Sequence, residues 1–215
     1  MKLTILNDVA LQKKGGVEAR VAGTPDTVAG YVKAGHDVTV VKGAGANAEF
    51  ADALYVDAGA SIAVTNTAAV KSADLVLSIT GGTEKLVASM QKGAGITGVL
   101  SPTDNPKYAA ACAKAGVTAY ALDYIPRISR AQAMDVLSSQ SNLSGYRSVV
   151  EAGGIYGRAF PMMMTAAGTI APAKVFIMGV GVAGLQAIAT ARRLGAVTTA
   201  TDVRPATKEL SLIHI

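Results

Sequence analysis

An α/β fold, built as two doubly wound parallel-sheet units joined by a long helix with the second unit incomplete, is the architecture this sequence predicts. Three observations lead to it. Short apolar runs of strand length alternate with longer helical stretches from Lys2 to Ala121. The alternation gives way to a strand-free helical stretch from Ser129 to about Gly153. It resumes after Pro172 as an apolar run, a glycine-rich turn, a helix and a second apolar run. Strands separated by helices of this size need crossover connections and therefore pair in parallel.

Local chemistry justifies each element. Lys2–Leu6 is a strand-length apolar run. Thr24-Pro25-Asp26 opens a helix, with Thr24 as N-cap and Pro25 at the first helical position, where its missing N–H is no loss. That helix runs through Lys33 and stops at Gly35. Asp37–Val41 is the next strand, closed by the Gly43-Ala44-Gly45 turn. A helix around Glu49–Ala58 precedes a short strand at Ile62–Val64. Asp74–Ile79 is a further apolar run, halted by Gly81-Gly82. Thr97–Leu100 and Thr118–Ala121 complete the series, with a helix over Pro106–Ala115 between them. Beyond Ile125-Pro126, Ser129 and Gln132 have the spacing of a capping box that opens the long helix. Met134, Leu137, Tyr146, Val149 and Val150 supply its buried side, and the Met162-Met163-Met164 run reads as packing between domains. The division predicted is an N-terminal α/β domain over 1–126, a linking loop and helix over 127–142, and the opening portion of a second α/β domain over 143–209.

Composition excludes several functions. Half of the 215 residues are hydrophobic and 16% are charged, ample for a core and incompatible with disorder. The longest uncharged stretch of the second half, Val175–Ala191, is broken by three glycines and a glutamine, and falls short of the roughly 20 residues a membrane span requires. The N-terminus turns polar too early for a signal peptide. One cysteine, Cys112, excludes a disulfide framework and a Cys-based zinc site; in its Ala-rich helix it reads as a small buried hydrophobe. Two histidines, His36 and His214, are too few for a multi-histidine centre, so no metal is expected. The net charge of +5 belongs to the second half: residues 1–100 carry nine basic and nine acidic side chains, residues 101–215 eleven and six. With no Lys/Arg run and 5% aromatics, nucleic acid is excluded as a partner, and a small anionic ligand suits the second half.

The segment from Val175 to Asp202 carries that ligand. Gly179, Gly181 and Gly184 form G-x-G-x-x-G, with Val180 and Val182 between them, after the strand Val175–Met178 and before a helix over Leu185–Leu194. The first glycine permits the tight turn, the second lets a pyrophosphate approach the backbone, and the third lets helix and strand pack closely. Unpaired N–H groups at the helix start bind the phosphates. The second strand, Val197–Thr201, ends at Asp202, where a carboxylate can accept from both hydroxyls of an adenosine ribose. Strand, turn, helix, strand and acid in this order make the second unit Rossmann-like. Asp202 repels a 2′-phosphate and favours NAD(H) over NADP(H), a preference that Arg204, next to Val203, weakens.

Two longer segments, Pro126–Ala152 (PRISRAQAMDVLSSQSNLSGYRSVVEA) and Phe160–Glu209, closely resemble the NAD(H)-binding α subunit of proton-translocating NAD(P)+ transhydrogenase. Glu18–Val28 and Val40–Ile62 are similar to that family and to its relative alanine dehydrogenase. The resemblance implies hydride transfer between NADH bound here and NADP+ on a partner domain, coupled to proton translocation. It also implies a homodimer, with NADP-binding and membrane-spanning transhydrogenase subunits as partners, at the cytoplasmic face of the inner membrane as a peripheral part of the complex. The loop Arg127, Ile128, Ser129, Arg130 to Asp135 would hold the nicotinamide end, and Arg127, Gln132, Asp135 and Ser138 match positions that contact nicotinamide and its ribose. Hydride transfer needs alignment of two rings rather than a protein acid or base, so Arg127, Gln132 and Asp135 would act as positioning groups, with Arg127 and Asp135 able to orient each other.

Plainer roles are open to the same residues. Gln132 could serve only as the return half of the capping box, Asp135 and Arg130 as solvated helix charges, Ser138 and Ser139 as an exposed helix face, and Tyr146 as core. An alanine dehydrogenase-like enzyme is the main rival. That family uses a lysine and a histidine at places that here read SITGG (Ser78–Gly82) and LSPTDNP (Leu100–Pro106), so both are missing. A nucleotide-binding regulatory domain without turnover is the other rival. After Glu209 the chain departs from the family: LSLIHI (Leu210–Ile215) is what CTG TCT CTT ATA CAC ATC encodes, the end of a transposon-based sequencing adapter. This tail is expected to be non-native, leaving a truncated fragment that is inactive alone.

Overall fold

The computed structural model describes residues 1–11 and 18–205. The proposed tail Leu210–Ile215, with His214, lies outside the described residues. The chain divides into two compact units, Met1–Met134 and the part from Asp135 onward.

The first unit is a six-stranded sheet. Its strands are β1 (Lys2–Ile5), β2 (Asp37–Val41), β3 (Ser61–Ala63), β4 (Leu75–Leu77), β5 (Gly95–Gly98) and β6 (Thr118–Ala121), in the order β3-β2-β1-β4-β5-β6. Every pair is parallel. The chain therefore winds outward from β1 to β3, then returns to the other side of β1 for β4 to β6, which places a topological switch point between β1 and β4. Alternation along the strands fills a core on each face. Leu3, Ile5, Val38 and Val40 pack with Val28 of α1 (Pro25–Lys33) and Tyr55 of α2 (Asp52–Asp57). Val76 and Ile96 pack with Val70 of α3 (Asn66–Val70), Leu86 of α4 (Glu84–Val87), and Tyr108 and Cys112 of α5 (Pro106–Ala115). Helix boundaries obey their caps: Thr24 Oγ1 accepts from the Thr27 N–H at 3.3 Å, and α5 ends on Gly116 at φ 68°.

Cys112 is 3% exposed, and burial pushes its thiol up from the ordinary range. A thiolate is the reactive form, so the folded chain should resist alkylation at pH 8 and react fully only in denaturant. Thiol titration with and without urea checks this; fast modification of the folded protein would contradict the buried placement.

The second unit begins with a helix whose start differs from the capping-box expectation. Ser129–Met134 is a 3-10 helix, and α6 runs over Val136–Ile155 with Asp135 as its N-cap. Asp135 Oδ1 accepts from the Ser138 N–H at 2.9 Å and Oδ2 from the Ser138 hydroxyl at 2.6 Å. A carboxylate is a strong cap because it also meets the positive end of the helix dipole, which explains why the helix opens at Asp135 rather than Ser129. The buried side of α6 agrees with expectation at Val149 and differs elsewhere: Gly145 is buried too, whereas Tyr146, Val150 and Met134, which precedes the helix, are exposed. Helix α6 packs on α7 (Val182–Arg193) through backbone, and a Cβ on Gly145 would lie 2.1 Å from the Ala183 carbonyl oxygen. A glycine marks the contact because a large side chain would prevent it.

A short antiparallel hairpin, β7 (Met163–Thr165) with β8 (Gly168–Ile170), follows α6. Met162 precedes this hairpin, Met163 and Met164 lie on β7, and all three side chains are exposed. Then comes β9 (Lys174–Met178), α7 and β10 (Val197–Thr201), with β9 and β10 paired in parallel. Val149, Phe160, Ala173, Ala191 and Ala196 form the core of this unit.

Candidate functional site

The turn between β9 and α7 has the shape its glycines imply. Gly179 sits at φ 95°, a left-handed conformation open to glycine without strain. A Cβ on Gly184 would lie 1.8 Å from the Gly179 carbonyl oxygen, so only a glycine lets the first turn of α7 close on the loop. Gly181 is the N-cap of α7 and contributes no side-chain hydrogen bond, leaving the helix-start N–H groups without a side-chain acceptor. A small anion is the natural complement of such an end.

Asp202, just past β10, closes this cradle. Its Oδ2 accepts from the Val180 N–H at 2.7 Å, so the acid also holds the glycine-rich turn in place. Oδ1 accepts from the Arg204 N–H at 2.8 Å, and the guanidinium forks across both oxygens at 3.0 Å. Hydrogen bonding from Arg204, reinforced by the Val180 N–H, holds the Asp202 carboxyl far below the usual carboxylate range. The side chain is 7% exposed, enclosed mainly by its own donors. Because the folded pKa is depressed, the stability these bonds add is present above the ordinary carboxylate range and is lost only as strong acid protonates the group. The Asp202 charge is thus present across the physiological range. Arg204 Nη2 lies 3.8 Å from where a Gly181 Cβ would be, over the turn itself. The pairing of Asp202 with Val180 and Arg204 is the feature that motif reading missed; the short step from Asp202 to Arg204 was its only visible trace.

Within this unit the structure brings together Gly179, Val180, Gly181, Val182, Gly184, Asp202 and Arg204, while the Val203 side chain points away, 97% exposed. Asp135 and Ser138 are joined to each other through the α6 cap. In the first unit Arg127, Ile128, Ser129, Arg130 and Gln132 are exposed, and Ala131 is the buried anchor of their 3-10 turn. The cradle fits a dinucleotide: a positive-φ turn, a third glycine no other residue could replace, an uncapped helix start and a carboxylate at the end of the next strand.

The two places where alanine dehydrogenase would need a lysine and a histidine are ordered by other contacts. Ser78 and Thr80 are bonded to Asp8. The backbone N–H groups of Leu100 and Ser101 are held by the two oxygens of Asp123, each at 3.0 Å. Neither place carries a lysine or a histidine, and the Ser78 and Thr80 hydroxyls are already engaged by Asp8. Among the described residues no group of three or more His, Cys, Asp and Glu could hold a metal ion, and no helix is long and apolar enough to cross a membrane.

Residues 12–144 match the family described as alanine dehydrogenase/PNT, N-terminal domain, and residues 148–212 match the corresponding C-terminal domain. The chain belongs to the alanine dehydrogenase/PNT family. Within that family it is 51% identical over 198 residues to an NAD(P) transhydrogenase subunit alpha polypeptide of Rhodospirillum rubrum, a match covering 89% of this chain and 51% of that one. The crystal structure of transhydrogenase from Sinorhizobium meliloti superposes with a TM-score of 0.91 at 45% identity, covering all of this chain and 62% of that one. An L-alanine dehydrogenase structure is more distant, at a TM-score of 0.81 and 25% identity over 99% of this chain and 58% of that one. The chain spans about half the length of the curated relatives it matches.

Proposed function

We propose that this chain is the NAD(H)-binding part of a proton-translocating NAD(P)+ transhydrogenase. NADH held at the glycine-rich cradle would exchange hydride with NADP+ on a partner domain, and the step would be coupled to proton movement through membrane-spanning subunits. The observation that carries the reading is the cradle itself, whose turn is held by the Val180 N–H donating to Asp202; in this reading Asp202 would accept from ribose hydroxyls and oppose a 2′-phosphate. Residues Gly179 to Gly184 and Asp202 would hold the adenosine diphosphate half, with Val203 and Arg204 beside it. The nicotinamide half would be positioned by Arg127, Gln132, Asp135 and Ser138, from the loop that also includes Ile128, Ser129 and Arg130. The working state would be a homodimer, peripheral at the cytoplasmic face of the inner membrane. The missing lysine and histidine count against alanine dehydrogenase chemistry. The exposed polar loop before α6 counts against a domain that only binds nucleotide.

The test uses the protein extended to the length of its relatives and supplied with an NADP-binding partner. It should reduce an NAD analogue with NADPH and should not aminate pyruvate. Gln132→Ala should lower hydride transfer about a hundredfold while changing NADH affinity far less, since misplacing a reacting ring by about 1 Å costs that much rate. Gln132 is a cleaner probe than Asp135, whose removal also strips the α6 cap. Stopped-flow transfer at saturating nucleotide is the measurement; normal turnover by Gln132→Ala would make the loop structural.

A further inference from the structure

The switch point between β1 and β4 is where a doubly wound sheet ordinarily binds its ligand, outside the carboxyl ends of the strands. Here the residues that follow those strands are bonded to one another. Asp8, 2% exposed, directs its carboxylate at the turn after β4. Oδ1 accepts from the Ser78 hydroxyl at 2.6 Å, and from the Thr80 N–H and Thr80 hydroxyl at 3.2 Å each. Oδ2 accepts from the Ile79 N–H at 3.0 Å. The Ser78 oxygen in turn accepts from the Gly81 N–H at 2.8 Å, which aims its proton at Asp8. Gly81 and Gly82, at φ 81° and 77°, take the left-handed conformation that closes this turn.

We infer that the turn Ser78–Gly81 is an anion-binding nest for a small monocarboxylate, filled in the native chain by its own tethered carboxylate, Asp8. Successive backbone N–H groups converging on one point form an anion site, and two hydroxyls complete it. The donors face inward from a turn that Asp8 does not belong to, some 70 residues away in sequence. Burying a carboxylate is tolerable only when its lone pairs are met; the turn's donors meet them, and the Arg20 cation also acts on the charge. The first unit therefore keeps a carboxylate-shaped site at its ligand crevice, closed to external acids because one is built in.

Removing the tether opens the site in a size-selective way. Asp8→Ala deletes the carboxylate and keeps the methylene carbon, leaving room for formate; Asp8→Gly also removes that carbon, leaving room for acetate. Both variants should melt about 5 °C or more below the native chain, because buried donors lose their acceptor. At constant ionic strength formate should restore most of this loss in Asp8→Ala in a saturable way, acetate should do so in Asp8→Gly, and chloride should do neither. The native chain should show no such response. Asp8→Asn, which fills the space but turns an amide toward N–H donors, should be destabilised and not rescued. If Asp8→Ala does not fold unaided, its refolding yield from urea in formate against chloride gives the same reading. Equal effects of formate and chloride, rescue of Asp8→Asn, or the same anion preference in both cavity variants would overturn the inference.

Discussion

Gly184→Ala is expected to abolish nucleotide binding and to destabilise the second unit. The added methyl group would lie 1.8 Å from the Gly179 carbonyl oxygen and 2.8 Å from its carbon, and backbone cannot rotate away as a side chain can. Overpacking in a well-packed region costs about 1–3 kcal/mol even when side chains absorb it. Here α7 must withdraw from the turn, and that displaces the helix-start N–H groups that would meet the phosphates. Gly154→Ala is the matched control. Gly154 lies in α6 with nothing within 4 Å of its added carbon, so the same chemical change should stabilise by about 0.5–1 kcal/mol through reduced chain entropy. Thermal denaturation and NADH titration of the pair decide the matter. A Gly184→Ala protein that binds NADH normally would remove the cradle from the proposed function.

Asp202→Ala is expected to lower NADH affinity roughly ten- to hundredfold, the usual loss when hydrogen bonds to a charged acceptor disappear. Two effects combine. The ribose hydroxyls lose their acceptor, and the Val180 N–H loses the partner that steadies the turn. NADPH should respond differently, because the negative charge that opposes a 2′-phosphate is gone while the Arg204 guanidinium remains beside it. Its affinity should hold or rise, so the two coenzymes converge. Asp202→Asn separates the contributions: its carbonyl can still accept from Val180, whereas its amide repels no phosphate. Titration calorimetry on the protein at the length of its relatives is the measurement, and equal NADH and NADPH affinities before mutation would refute the assignment of Asp202.

Elements whose ends carry strong local signals were legible in detail. Helix α1 begins at Pro25 behind its Thr24 cap, α5 spans Pro106–Ala115, and β2 spans Asp37–Val41, each with the bounds expected from Pro, Gly and cap residues. Helices α3 and α4 escaped notice because five and four residues are too few to show a 3.6-residue period, although Thr65 and Thr83 cap them. The start of α6 was misplaced because Ser129 with Gln132 and Asp135 with Ser138 both offer capping chemistry, and local pattern does not rank a carboxylate above a hydroxyl. Of its buried side Val149 was legible, and Gly145 was missed for a related reason. Large apolar residues normally mark the contact stripe, but α6 meets α7 by close backbone approach, which selects Gly145 and leaves Tyr146 exposed.

The dinucleotide cradle could be read from a short stretch of chain because everything that shapes it is local: a left-handed Gly179, a third glycine one helical turn on, and a helix start that follows. Asp202 belonged to the same pattern, since a single strand–helix–strand passage places it. Its engagement by Val180 and Arg204 did not, because a carboxylate near two kinds of donor has several partners open to it until the backbone is closed around it. The Asp8 cluster was further out of reach. Nothing near Asp8 in sequence points to Ser78 or Thr80, and the two segments meet only because β4 pairs with β1 on the side away from β2. Strand order depends on which apolar faces find each other across the whole sheet. Contacts that depend on that order become fixed when the core packs and not before.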